Sequence, residues 1–198
     1  AGLAAAAASP AAPAPGAPGK KPWSPRVPEA VRERLEAAPR VVLKGGKARL
    51  FKEGQPLVYS GAVDRVEGRA PRAGDLVVVA DGNRTPVGWG MFNPDSQYRV
   101  RILQNAREFE RQPDLVLDLE RLLRTRFASA VRARRALGFP NAETDAFRLL
   151  NSEGDRVSGL VVDVLAGHLV VQPSAAWAER HRGVVERALR EAVGEAAG

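Results

Sequence analysis

Between residues 41 and 103, short runs of β-branched, aliphatic and aromatic residues alternate with Gly, Asn, Asp and Pro about every ten residues. The runs are Leu57-Val58-Tyr59, Leu76-Val77-Val78-Val79, Val87-Gly88-Trp89-Gly90-Met91-Phe92 and Tyr98-Arg99-Val100-Arg101-Ile102. This spacing predicts a small closed or nearly closed β-barrel. Such a barrel has little room inside, so its outer face and loops carry any binding. Two further strands, 41–43 and 48–51, are expected around Lys44-Gly45-Gly46-Lys47. A hairpin turn accounts for those glycines. A phosphate loop would need the GxxxxGK[ST] spacing and a long helix after it. Lys44 and Lys47 can still reach phosphate from a turn.

The flanks change period. Residues 29–38 read as a short helix stopped by Pro39. In 118–137, Leu119, Leu122, Leu123, Phe127, Ala130, Val131 and Leu137 share one helical arc. Asp114 or Asp118 is the candidate N-cap, Gly138 the stop, and Arg126 and Arg134 are expected to snorkel. Residues 147–173 give three strands, the last two joined by Ala166-Gly167. One amphipathic helix is expected over 174–193, with Trp177, His181, Val184, Val185, Ala188 and Leu189 as its stripe. The fold class is therefore α+β. Residues 1–39 form a tail and lead-in helix, 40–104 the small β-barrel, and 105–198 an α+β connecting domain.

Composition adds three constraints. Lys plus Arg exceeds Asp plus Glu by 30 to 23, for a net charge of +7, which favours a polyanionic partner such as nucleic acid or reflects a merely solvated basic surface. There is no Cys, which removes disulfides, thiolate metal ligands and a Cys nucleophile from these residues. His168 and His181 share no metal-binding spacing, and Asp163 and His168 interrupt the most apolar stretch, so neither a metal nor a membrane partner is expected. Residues 1–28 are rich in Ala, Pro and Gly, carry Lys20, Lys21 and Arg26, and contain no acid. They read as a disordered tail or a transit-peptide remnant for a plastid or mitochondrion; without such a signal the location is cytoplasmic.

Charge placement names the candidate binding residues. On the 97–102 strand Tyr98, Val100 and Ile102 share one face, and Arg99 and Arg101 the other. Those guanidinium groups either grip phosphate or pair across the sheet with Asp64 or Glu67. Trp89, between two glycines, reads as core before it reads as a stacking platform. Arg121, Arg124, Arg132 and Arg135 share the polar arc of the long helix, as a phosphate-binding face or a solvated one. Glu153 and Asp155 lie in a Gly- and Ser-containing loop, a context that points to solvent rather than to the desolvated cleft a catalytic carboxylate pair needs.

Ser60-Gly61-Ala62-Val63, Val66-Glu67-Gly68, Gly74-Asp75 and the segment from Phe92 through Asn93, Pro94, Asp95, Ser96, Gln97, Tyr98, Arg99 and Val100 to Arg101 together resemble a known family. It is the N-terminal PUA domain of bacterial-type 23S ribosomal RNA cytosine-5 methyltransferases that use S-adenosylmethionine, and the resemblance runs from about residue 41 to about residue 177. It implies RNA, specifically ribosomal RNA, as partner. It adds Ser96 and Gln97 to Arg99 and Arg101 as candidate contacts. In the family the catalytic Cys and the cofactor-binding domain lie C-terminal to these motifs, and this chain has no GxGxxG, no Cys and no βαβ repeat after Val193. The expectation is thus an RNA-binding region without catalytic or cofactor-binding residues of its own. It would either dock on a C-terminal methyltransferase domain or self-associate. The competing expectation is a stand-alone RNA-binding or protein-adaptor module.

Overall fold

A computed structural model describes residues 27–194, so the expectations for the N-terminal tail lie largely outside the described residues. Helix α1 (Glu29–Ala37) ends before Pro39, as anticipated, and buries Val31 and Leu35. Six strands follow: β1 (Arg40–Leu43), β2 (Leu57–Tyr59), β3 (Val63–Glu67), β4 (Leu76–Ala80), β5 (Pro86–Phe92) and β6 (Tyr98–Asn105). They form one sheet in the order β2-β6-β5-β4-β1-β3, antiparallel except for β1 against β4. The sheet curls into a half-barrel. Its two edges, β2 and β3, are linked through a single 3-10 turn, Ser60–Ala62, rather than by a strand ladder.

The expected strand at 48–51 is instead a short helix, α2 (Ala48–Lys52). Phe51 fills the half-barrel while its neighbour Leu50 is 62% exposed. A helical turn places Ala48 and Phe51, three residues apart, on the same inward side. The Arg49–Glu53 pair at 2.9 Å then closes the turn. Residues 44–47 are still a turn, with Lys47 N–H donating to the Lys44 carbonyl at 3.1 Å.

Residue alternation divides the sheet between two cores. Val41, Val58, Val77, Val79, Val100 and Ile102 face into the half-barrel. Val78, Trp89, Met91 and Leu103 face outward into a larger core. Because β4 is covered on both sides, its sequence is apolar without alternation. Between β5 and β6 the register shifts, with Trp89 opposite Gln104 but Gly90 opposite Ile102. Gly90 permits this approach, since a Cβ there would sit 2.0 Å from the Arg101 carbonyl oxygen. Trp89 is buried and its Nε1–H donates to Gln104 Oε1 at 2.6 Å, so it belongs to the core.

The outer face is covered by the C-terminal half. Helix α3 (Leu119–Ala136) is N-capped by Asp118, whose carboxylate accepts from Arg121 N, and ends at Gly138 with φ +83. Leu137 stands outside its apolar arc, 70% exposed, because the helix has already ended. Arg126 and Arg134 do not snorkel. Arg126 is buried against Glu108 at 2.7 Å, and Arg134 makes a two-pronged pair with Asp155 at 2.7 and 2.5 Å. The second sheet, β7 (Phe147–Asn151), β8 (Leu160–Leu165) and β9 (His168–Pro173), is an antiparallel meander. The single expected C-terminal helix is two, α4 (Ala176–Arg180) and α5 (Arg182–Gly194), separated at His181. His181 Nε2 lies 2.9 Å from the Gly74 carbonyl oxygen, and Arg180 bonds both Asp75 and the Ala73 carbonyl. The break is where the helix is pinned to the half-barrel. No helix among the described residues is long and apolar enough to cross a membrane.

Candidate nucleic-acid interface

The sheet's closure assembles one group of the predicted residues. The Lys44 N–H donates to the Ala62 carbonyl at 2.9 Å, and the Ser60 N–H donates to the Gln97 carbonyl at 2.8 Å. The 44–47 turn and the turn before β6 therefore flank Ser60–Ala62 on either side. Lys44, Lys47 and the Gln97 side chain are exposed, and none has a side-chain partner among the described residues. Ser96 Oγ is committed to the backbone, accepting from Tyr98 N–H at 3.1 Å. Asn93 Oδ1 accepts from Asp95 N–H at 3.0 Å, which fixes the same turn.

The two β6 arginines, alike in sequence, differ in environment. Arg99 is half-buried and makes no side-chain hydrogen bond or ion pair among the described residues. Arg101 points into the junction with the second sheet, its side chain 18% exposed. Its Nη1 donates to Ser158 Oγ at 2.9 Å and to Glu153 Oε1 at 3.1 Å, and its guanidinium lies 5.4 Å from the Tyr98 ring centre. The partner is thus Glu153, from another unit, rather than Asp64 or Glu67. Burial opposes ionisation of Glu153, but hydrogen bonds from Ser158 and Ser152 and the charge of Arg101 hold its carboxyl below the ordinary value. Glu153 and Asp155 are tied into ion pairs with Arg101 and Arg134 rather than left in solvent as their loop context suggested.

On α3 the four arginines do not form an unbroken cationic face. Arg124 pairs at 2.8 Å with Glu120 and at 2.8 Å with Glu191 of α5, and Arg121 approaches Asp114 at 3.7 Å. Arg132 reaches only Ser129 Oγ at 3.0 Å, and Arg135 is exposed without a partner among the described residues. Arg135 lines an apolar cleft of about 220 Å³ with Phe139, Phe147 and Leu169, away from the turns beside Ser60–Ala62. Glu120 belongs to the first turn of α3 itself, whereas Asp114 and Glu191 come from outside the helix, so the helix read in isolation looks more basic than it is.

Sequence reading missed Tyr59. It is 44% exposed at the end of the edge strand β2, opposite Tyr98, with ring centres 5.0 Å apart and planes inclined at 56°. Only the β2–β6 register brings the two rings together, so no local signal marks them. Among the described residues no group of three or more His, Cys, Asp or Glu is placed to hold a metal.

Residues 41–105 match the model of the PUA-like domain family. The chain is 34% identical over 142 residues to ribosomal RNA large subunit methyltransferase I of Alteromonas mediterranea, covering 72% of this chain and 34% of that protein. It is 34% identical over 156 residues to a ribosomal RNA large subunit methyltransferase of Deinococcus radiodurans, covering 76% of this chain and 36% of that protein. The chain thus spans about a third of the length of these relatives. In fold it matches a solved structure from Streptococcus mutans described as a putative SAM-dependent methyltransferase, with TM-score 0.63 and 14% identity over 78% of this chain and 38% of that one. These relatives are bacterial, which lends no support to a plastid destination. Residues 41–105 are a PUA-like domain, and the chain is homologous to the ribosomal RNA large subunit methyltransferases I.

Proposed function

We propose that this chain is the RNA-binding part of a ribosomal RNA (cytosine-5) methyltransferase and positions ribosomal RNA for methyl transfer. The observation that carries this reading is the set of unpaired cations within the PUA-like segment. Lys44, Lys47, Arg72 and Arg99 have no side-chain partner among the described residues, whereas most of the described arginines are tied to carboxylates. A cation without an internal partner costs nothing to redirect to phosphate, whereas Arg101 or Arg124 would first have to give up a carboxylate. Cytosine as the target base and the C5 position rest on the family resemblance alone.

S-adenosylmethionine is the family's methyl donor, and a second neighbouring structure is described as complexed with SAH. The Gly45-Gly46 turn does not fit that group. A dinucleotide-type cradle needs a parallel strand leading through a glycine-rich turn into a long helix. Here β1 leads through Gly45 and Gly46 into the five-residue α2, and both glycines face open space. No chemical step is assigned to this chain's own residues.

The test is binding of the chain to ribosomal RNA fragments across a salt series. Wild type should show affinity that falls linearly with log salt, and Lys44→Ala, Lys47→Ala and Arg99→Ala together should lower the slope by about 2. Salt-independent or absent binding would overturn the reading and favour an adaptor role.

A further inference from the structure

We infer that the Tyr59–Tyr98 pair is a stacking platform for an unpaired nucleobase of single-stranded RNA. The inference rests on the RNA-binding reading above and specifies the form of RNA recognised. Tyr59 ends an edge strand, so no neighbouring strand covers it, and it is the exposed member of the pair. The layers beneath it are fixed: Tyr98 lies against the Tyr59 ring, Arg101 against Tyr98, and Glu153 and Ser158 hold Arg101. An exposed aromatic on a rigid support forfeits little side-chain freedom when a second π face joins it.

The surroundings define the chemistry of that second face. Exposed Gln97 directly precedes Tyr98 and its backbone carbonyl accepts from Ser60 N–H, and Lys44 and Lys47 lie across the Ser60–Ala62 turn. A planar base on Tyr59 would have an amide to read its edge and two ammonium groups for the phosphates beside it. In a duplex the faces of the bases are already stacked, so only an unpaired base can use such a ring. An apolar protein segment would gain nothing from the two lysines.

The experiment uses the whole chain, a uridine-rich single-stranded 12-mer carrying one 5-iodouridine, and the same sequence annealed to its complement. Stacking predicts a light-induced crosslink at Tyr59, preference for the single strand, and roughly 5- to 150-fold weaker binding for Tyr59→Ala. Tyr59→Phe, which keeps the ring, should bind like wild type. The salt slope of Tyr59→Ala should match wild type, because the lysines still meet the phosphates. If the 12-mer binds with a normal salt slope but Tyr59→Ala is unimpaired, or the crosslink falls elsewhere, the platform is refuted while RNA binding stands. If neither single strand nor duplex binds at low salt, the underlying RNA-binding reading fails as well.

Discussion

Arg99 and Arg101 are two residues apart on one strand, and their replacement by alanine should have opposite consequences. Arg101→Ala removes a charge-assisted bond to Ser158 and the ion pair with Glu153. Ser158 is 1% exposed, and its hydroxyl still donates to Glu153 Oε1 at 2.6 Å, so it is not left orphaned. A hydrogen bond to a charged group is worth about 1.5–3 kcal/mol. The ion-pair share is discounted because Glu153 is more than a third exposed and solvent screens it. The net loss is then about 1–2 kcal/mol. In a domain of this size that corresponds to a fall in Tm of roughly 2–8 °C. Since Arg101 donates to protein oxygens, its loss should leave the salt slope of RNA binding unchanged.

Arg99 has no internal partner, so Arg99→Ala should shift stability by no more than about 0.5 kcal/mol. If it meets a phosphate of single-stranded RNA, the salt slope should fall by about 0.7. Urea unfolding followed by Trp fluorescence gives the stabilities, and RNA titrations between low and moderate salt give the slopes. The opposite outcome is an Arg101→Ala variant with an unchanged unfolding midpoint and a slope lowered as much as in Arg99→Ala. That result would mean that Arg101 leaves Glu153 for phosphate, and that the junction between the sheets does not depend on it.

Two other sites yield sharp expectations. Gly90→Ala would place a methyl 2.0 Å from the Arg101 carbonyl oxygen and 2.7 Å from Ile102 Cα, both backbone atoms that cannot swing aside. Its cost should be about 3 kcal/mol, and an unfolding midpoint near wild type would contradict the register described between β5 and β6. Asp75 is held below the ordinary carboxyl value: burial opposes this, but the Arg72 amide, the Arg69 hydrogen bond and the charges of Arg69 and Arg180 outweigh it. A depressed folded pKa adds stability that is present above the unfolded value of 3.8 and disappears as pH falls through the folded value. Asp75→Asn should therefore cost about 1–2 kcal/mol at pH 7, with the gap to wild type closing below about pH 4; a gap of equal size at pH 3 would refute it.

What the sequence discloses and what it hides follow one physical division. Periodicity is local, so the strands 57–59, 76–80, 87–92 and 98–102 and the apolar arc of α3 could be read directly, as could Gly138 as a helix stop. The 48–51 segment misled because two apolar residues after a glycine turn fit strand or helix equally; only the half-barrel's need for Phe51 inside decides between them. Charge is not local. Arg101 is paired by a residue 52 positions away, and Arg124, besides its local partner Glu120, by Glu191 on another helix, so neither set of partners could be read in full from its own stretch. The same distance conceals Tyr59, whose partner Tyr98 belongs to a different strand. An arginine-rich sequence therefore overstates the nucleic-acid surface until each carboxylate has been assigned. Once they are assigned, the free charge within the PUA-like segment lies, among the described residues, in Lys44 and Lys47 beside Ser60–Ala62, in Arg99 on β6 and in Arg72 before β4, and the first three are in or next to the elements that carry the exposed aromatic pair. Coincidence of unpaired cations with an uncovered ring marks a binding surface more securely than the abundance of either.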